Sequence, residues 1–199
     1  MADTLSSKTK NLPVEAVQRA VAALAAGGMV VVVDDEDREN EGDLLIPAES
    51  VTAPRMTFLV AHTTGIVCAP MTCDRCEALR LPQMVADNTD AHGTAFTVSV
   101  DHVGAGTGVS SAARAKTIHA LADPATAPSE LRRPGHVFPL RARDGGVLVQ
   151  ASTGVAPPVV GPPVTMASAI PGTRATAART CSGWADLFGL VGEDFHRLR

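Results

Sequence analysis

The sequence predicts a single domain of helices and strands followed by an irregular C-terminal segment, on three observations. Val14, Val17, Val21 and Leu24 recur at helical spacing. Met29 to Val33 is an unbroken apolar run, the mark of a strand buried on both faces. From residue 151 to 183, 24 of 33 residues are Ala, Ser, Thr, Gly or Pro, and no periodicity holds. A chain of 199 residues and 20.5 kDa, 45% hydrophobic, has enough apolar material for one proper core. Only 3% of it is aromatic, so that core must be aliphatic, and a function that stacks aromatic rings on nucleic-acid bases is excluded. No apolar run approaches the roughly 20 residues of a membrane span. The opening MADTLSSKTKNLP lacks the apolar stretch of a signal peptide, which predicts a cytoplasmic protein.

Taken in order, residues 1–12 read as a tail. The helical stripe begins after Pro13 and ends at Gly27-Gly28, a glycine stop of the usual kind. The Met29–Val33 strand follows. Met56 to His62 reads as a helix, and Gly65 to Ala69 as a short strand. Phe96, Val98 and Val100 alternate with Thr97 and Ser99, which predicts a half-exposed strand with its polar residues outward. A glycine-rich turn, Gly104 to Ser111, leads into a helix from about Ala112 to Ala122; backbone amides at such a junction can cradle a phosphate. Arg132 to Pro139 reads as a rigid loop carrying His136, with two arginines that favour an anion. In the last stretch, Pro157-Pro158 and Pro162-Pro163 interrupt any long regular element, and a short helix is expected from Trp184 to Phe195.

The formal net charge is −4, but residues 34–43, DDEDRENEGD, hold seven acids against Arg38 alone. An acidic run is ordinarily a solvated loop. This one leaves directly from the end of a buried strand, where rigid scaffolds hold functional loops. An acidic focus on a near-neutral body suits a cation rather than a nucleic acid. Glu39, Glu41 and Asp43 are spaced two apart, so in extended chain they share a face. Crowded carboxylates raise each other's pKa unless a cation intervenes. Hard oxygen ligands of this kind fit Mg²⁺ or Mn²⁺, which would polarise a sugar carbonyl and make the neighbouring proton removable. Arg38 suits a phosphate or a developing enediolate. Of the four cysteines, Cys73 and Cys76 form one C-x-x-C; with no second pair they read as ordinary thiols rather than a zinc site.

The strings VVVDDEDRENEGDLLIPAE (31–49), TGIVCAPMT (64–72), HGTAFTVSVD (92–101), TGVSSAARAKTI (107–118) and RRPGHVFPLRARDGGVL (132–148) resemble 3,4-dihydroxy-2-butanone 4-phosphate synthase of riboflavin biosynthesis. The resemblance runs from about residue 14 to 148. It implies an α+β fold of mixed sheets with surrounding helices in a synthase-like domain over 13–148, working as a homodimer. It implies conversion of D-ribulose 5-phosphate to 3,4-dihydroxy-2-butanone 4-phosphate and formate with Mg²⁺ or Mn²⁺, a lyase reaction on a sugar phosphate, without nucleic-acid or membrane partners. By motif, Arg38 and Glu39 would contact the substrate, with Glu39 also a metal ligand. Glu41 and Asp43 would be acid–base carboxylates, Asp43 also touching substrate. Cys68 and Thr107 would line the site, and His136 would be the essential histidine.

Beyond Leu148 the pattern fails, and 149–199 reads as divergent. The family's R-x-G-H-T-E-A string, which brings a second metal-ligating histidine, and its later glutamate have no counterpart: there is no His, Glu, Asp or Cys between Val149 and Arg179. Glu193 and His196 come later at unrelated spacing, and Ala113 stands where the family has aspartate. So abrupt a change is what translation in another reading frame gives. The alternative reading is therefore a catalytically impaired paralogue or frame-altered product serving as a non-catalytic dimer partner. A third is a different enzyme using Glu39, Glu41 and His136 on a related carbonyl compound.

Overall fold

In the computed structural model, residues 12–33, 42–63, 66–91, 93–142, 164–167 and 195–197 are described. They form helices α1 (Leu12–Ala25), α2 (Ala53–His62), α3 (Cys73–Ala78) and α4 (Ser111–Ala122). The strands are β1 (Met29–Val33), β2 (Gly42–Pro47), β3 (Val67–Met71), β4 (Val100–His102), β5 (Leu131–Arg141), β6 (Val164–Ala167) and β7 (Phe195–Arg197). The strands make one mixed sheet in the order β4-β5-β3-β6-β2-β1-β7.

The main core lies on one sheet face. There Met29, Val31, Leu44, Ile46, Val67, Ala69 and Val137 meet Met56, Phe58 and Leu59 of α2 and Ala115, Ile118 and Leu121 of α4. The opposite face, at β1 and β2, is covered by α1, where Ala20 and Ala23 pack on Val30 and Leu45. Val30 and Val31 thus serve different cores, as expected for a strand buried on both sides. The α1 stop is built as the glycines imply: Gly27 adopts φ +81, and Gly28 N donates to Ala23 O at 2.8 Å. Thr52 caps α2, Thr72 caps α3 and Ser110 caps α4, each accepting a backbone N–H in the first turn with its hydroxyl.

Two sequence readings change. Phe96 to Val100 is not a regular strand. Only Phe96 and Thr97 form isolated bridges, to Leu140 and Gln83, and β4 starts at Val100. Its polarity is also inverted: Thr97 and Ser99 are buried while Phe96 and Val98 are half-buried. The buried hydroxyls are satisfied, Thr97 Oγ1 donating to Pro139 O and Ser99 Oγ accepting from Gly135 N, which removes the penalty for burying them. The second change is Arg132 to Pro139, which lies within β5 and pairs parallel with β3 from Cys68↔Phe138 to Met71↔Arg141. The loop-like composition marks a bulge. Val100 pairs with Val137 but the next residue, Asp101, pairs with Arg132, so residues 133–136 are extra on the β5 side.

Within the C-terminal segment, 164–167 supplies a central strand that composition did not announce. It starts directly after Pro163 and lies antiparallel between β2 and β3. Of the helix expected at the end, only Phe195 is described, and it opens β7, parallel to β1. The rest of that expected helix lies outside the described residues.

Candidate active site

Of the residues singled out in the sequence, Asp43, Cys68, Thr107 and His136 are described; Arg38, Glu39 and Glu41 lie outside the described residues. Strand register relates two of the four, Asp43 and Cys68. Leu45 and Cys68 both stand level with Met166 of β6, and Cys68 stands level with Phe138. Side chains alternate across a strand, so Asp43 and Cys68 belong to one face of the sheet, the face turned away from the main core, while His136 lies in the β5 bulge, where that alternation is broken. β2 and β3 run in the same direction on either side of β6, which puts Asp43 two residues before the level of Cys68.

Cys68 is 5% exposed. Burial, reinforced by the nearby Asp43 carboxylate, pushes its thiol up to about 12. It is therefore a neutral wall of the site near neutral pH; a nucleophilic thiolate would need the opposite shift.

His136 is held from two sides by a residue the sequence reading passed over. Asp101 Oδ1 accepts from the His136 backbone N–H at 2.9 Å, and Asp101 Oδ2 lies 2.8 Å from His136 Nδ1. Asp101 is 5% exposed, while the His136 side chain is 43% exposed. The bulge makes this contact: four extra residues in β5 fold His136 back over the β4 carboxylate. Two glycines permit it. A Cβ on Gly135 would lie 1.9 Å from the Val100 carbonyl carbon, and one on Gly108 1.9 Å from Asp101 Oδ2. The available signal for Asp101 was an acid placed directly after an apolar strand residue, as with the 34–43 segment after β1.

Thr107 is exposed on the glycine-rich turn, between Gly106 (φ +58) and Gly108 (φ +80). The arginines read as an anion site are occupied otherwise. Arg132 donates to Gly106 O at 2.6 Å and His102 O at 3.4 Å, and Lys116 donates to Gly104 O, so cations clamp the turn through its carbonyls. Arg133 donates to Leu79 O and Leu131 O. Cys73 and Cys76 are free thiols, and Cys73 Sγ accepts from Arg141 Nε at 2.8 Å.

Among the described residues no three His, Cys, Asp or Glu side chains converge to hold a metal. In the sequence, Asp43, Glu39 and Glu41 offer oxygen donors, the ligand chemistry that Mg²⁺ takes. A ring held by a buried carboxylate, and a carboxylate beside a neutral thiol, are groups of the kind that can exchange protons with a small molecule.

The comparisons with known proteins narrow that class. The family model of 3,4-dihydroxy-2-butanone 4-phosphate synthase matches residues 18–156. The 3,4-dihydroxy-2-butanone 4-phosphate synthase of Desulfovibrio desulfuricans is 54% identical over 137 residues, covering 68% of this chain and 61% of the relative. Riboflavin biosynthesis protein RibBA of Nocardia farcinica is 55% identical over 135 residues, covering 67% of this chain and 33% of its own. This chain thus spans about a third of the length of the RibBA relatives it matches. A crystal structure of 3,4-dihydroxy-2-butanone 4-phosphate synthase in complex with two magnesium ions superposes with TM-score 0.72 at 39% identity, covering 91% of this chain and 92% of the other. The two-domain synthase RibBX of A. baumannii gives TM-score 0.73 at 33% identity, covering 92% and 55%. The chain belongs to the 3,4-dihydroxy-2-butanone 4-phosphate synthase family.

Proposed function

We propose that this chain converts D-ribulose 5-phosphate to 3,4-dihydroxy-2-butanone 4-phosphate and formate, the four-carbon branch of riboflavin biosynthesis. The observation that carries the reading is the ring of His136 held by Asp101, with Asp43 beside the buried Cys68, in a chain of this family. The catalytic machinery is assigned to residues 13–148, in a cytoplasmic homodimer.

Within this reading Asp43 stands on β2 directly after the acidic segment in the sequence, and Glu39, Glu41, Asp43 and His136 act on the same substrate. Arg38 and Thr107 hold the anionic substrate, Thr107 from a turn that Arg132 and Lys116 keep rigid. Glu41, Asp43 and His136 take and return protons at the carbons and hydroxyls of the sugar. Cys68 stays protonated and adds no charge to a face that already carries carboxylates. Glu39 would hold Mg²⁺ or Mn²⁺, which when bound supplies Lewis acidity to the sugar carbonyl and hydroxyl oxygens. The Mg²⁺ assignment is supported by the magnesium-bound relative and by the all-oxygen donor set.

The chain between Val149 and Arg179 lacks any His, Glu, Asp or Cys, and this favours a second reading, a non-catalytic dimer partner. Formate release from ribulose 5-phosphate with Mg²⁺, beside Glu39→Ala, decides between them. Release that vanishes in the variant supports the synthase. No release above the variant overturns it.

A further inference from the structure

We propose that Cys73 and Cys76 form a redox-active pair: Cys73 exchanges with low-molecular-weight disulfides, and Cys76 resolves the product into a reversible Cys73–Cys76 disulfide. The pair stands apart from the sugar-phosphate chemistry and uses neither Cys68 nor His136. Cys73 opens α3 and Cys76 lies one turn further on. A helix of radius 2.3 Å that rises 1.5 Å per residue sets Cα atoms three residues apart at about 5 Å. Disulfides span about 4.4–6.8 Å between Cα atoms, so this pair can close once its Cβ atoms draw together by roughly 1 Å. The helix that absorbs this movement is only six residues long.

Arg141 tells the two sulfurs apart. Its Nε donates to Cys73 Sγ at 2.8 Å, while its Nη2 lies 3.9 Å from Glu77 Oε1. A guanidinium so placed receives the negative charge that sulfur bears as it attacks or leaves in thiol–disulfide exchange. Cys73 is half-buried and Cys76 buried. A small disulfide therefore reaches Cys73, whereas Cys76 needs no access from solvent, because it attacks Cys73 from within the same turn. Burial pushes the Cys76 thiol up to about 11, and its fixed place beside Cys73 offsets the scarcity of thiolate. The exchange balances in two steps. The Cys73 sulfur bonds to one half of the small disulfide, and the other half leaves with the Cys73 proton. The Cys76 sulfur then bonds to Cys73, and the second half leaves with the Cys76 proton. The pair loses two electrons and two protons, which the small disulfide gains as two thiols. Reduced Cys73 also donates to Ala142 O at 3.8 Å, so it fastens α3 to the end of β5, and the disulfide gives up that donor.

Glutathione disulfide is the probe. The full folded chain is equilibrated with mixtures of glutathione disulfide and reduced glutathione, quenched with acid, and its cysteines are mapped by mass spectrometry. Trypsin cuts after Arg75 and so puts Cys73 and Cys76 on separate peptides. The expected product is those two peptides joined, with fragment ions placing the bond at Cys73 rather than Cys68, and parted again by reduced glutathione. This measurement needs no variant. In Cys76→Ser the expected product is glutathione held on Cys73. Adding Arg141→Met to that variant removes the Nε donor and should slow the addition of glutathione to Cys73 about threefold to tenfold. Glutathione that stays on Cys73 while Cys76 is intact overturns the pair, and so does a Cys73 that takes up no glutathione at all. Equal rates of addition with and without Arg141 overturn its part in selecting Cys73.

Discussion

Replacing Gly135 with alanine places a Cβ 1.9 Å from the Val100 carbonyl carbon, 2.3 Å from Asp101 N and 2.3 Å from Val100 O. All three are backbone atoms of β4, so no side chain can swing away. Ordinary contact begins near 3.4 Å, and β4 and the bulge must therefore part by about 1.5 Å. That motion strains the bond from Gly135 N to Ser99 Oγ at 3.1 Å and the bond from His136 N to Asp101 Oδ1 at 2.9 Å. A neutral hydrogen bond contributes about 0.5–1.5 kcal/mol and one to a charged group about 1.5–3 kcal/mol, so losing both costs about 2–4 kcal/mol. Residual overpacking adds about 1 kcal/mol or more. The sum, about 3–5 kcal/mol, is a large part of the 5–15 kcal/mol typical of a folded domain. Urea denaturation is the assay: the midpoint should fall with an unchanged slope, and Tm should drop by roughly 10 °C at 2–4 °C per kcal/mol. Gly106→Ala is the control. Its φ is +58 but nothing lies within 4 Å of the new Cβ, so it should cost only the left-handed backbone penalty, about 1–2 kcal/mol. Equal costs for the two variants would refute the close packing of the bulge on β4.

Thiol reactivity should sort by burial. With Cys68 pushed up to about 12 and Cys76 to about 11, mainly by burial, site-resolved alkylation of the folded chain at mildly alkaline pH should label the half-buried Cys73 well before either. Fast labelling of Cys68 would contradict its burial. The same shifts set a pH trend. Both thiols hold their protons more tightly folded than unfolded, so their contribution to stability is full below about pH 9 and is lost as pH rises toward 11 and 12. Denaturation midpoints measured across that range should fall. Arg75→Met should destabilise by about 1–3 kcal/mol, because the guanidinium donates to the Leu121, Ala120 and Asp123 carbonyls at the end of α4. A midpoint unchanged in urea would remove Arg75 from that role.

Much of this architecture is legible in local pattern. β1 announces itself by an unbroken apolar run, and α1 ends at the glycine stop that the sequence marks. What periodicity could not show is pairing at a distance. Thr97 and Ser99 are buried because their hydroxyls find Pro139 O and Gly135 N about forty residues on, and no window around Phe96 contains those partners. Prolines and a glycine made 132–139 look like a loop, and half of that is right: residues 133–136 are the bulge. Family motifs singled out Asp43, Cys68 and His136 as candidates. Asp101 was not among them, since its partner is 35 residues away and only the register shift brings the two together. Charge alone does not reveal that Arg132 and Arg133 each direct donors to backbone carbonyls, at Gly106 and Leu79 among others.

The departure after Leu148 separates what the fold requires from what the chemistry requires. A sheet strand needs backbone amides and carbonyls in register, and a composition of Val, Thr, Met and Ala supplies those at 164–167. Proton transfer and metal binding need particular side chains, and those are missing between Val149 and Arg179. Because β6 lies in the sheet between β2 and β3, the sheet extends past residue 148. Deleting 149–199 then leaves β2 without its neighbour across four paired positions and β3 across two. At roughly 1 kcal/mol for each net backbone hydrogen bond, the loss is several kcal/mol, comparable to the whole stability of a domain of this size. The truncated chain should therefore show no cooperative urea transition or a sharply lowered midpoint. A 1–148 fragment that unfolds cooperatively at the midpoint of the full chain would mean that β6 contributes nothing to the sheet. The synthase-like domain would then be complete without the divergent segment, and the missing histidine and glutamate would have been lost from a part of the chain the fold does not use.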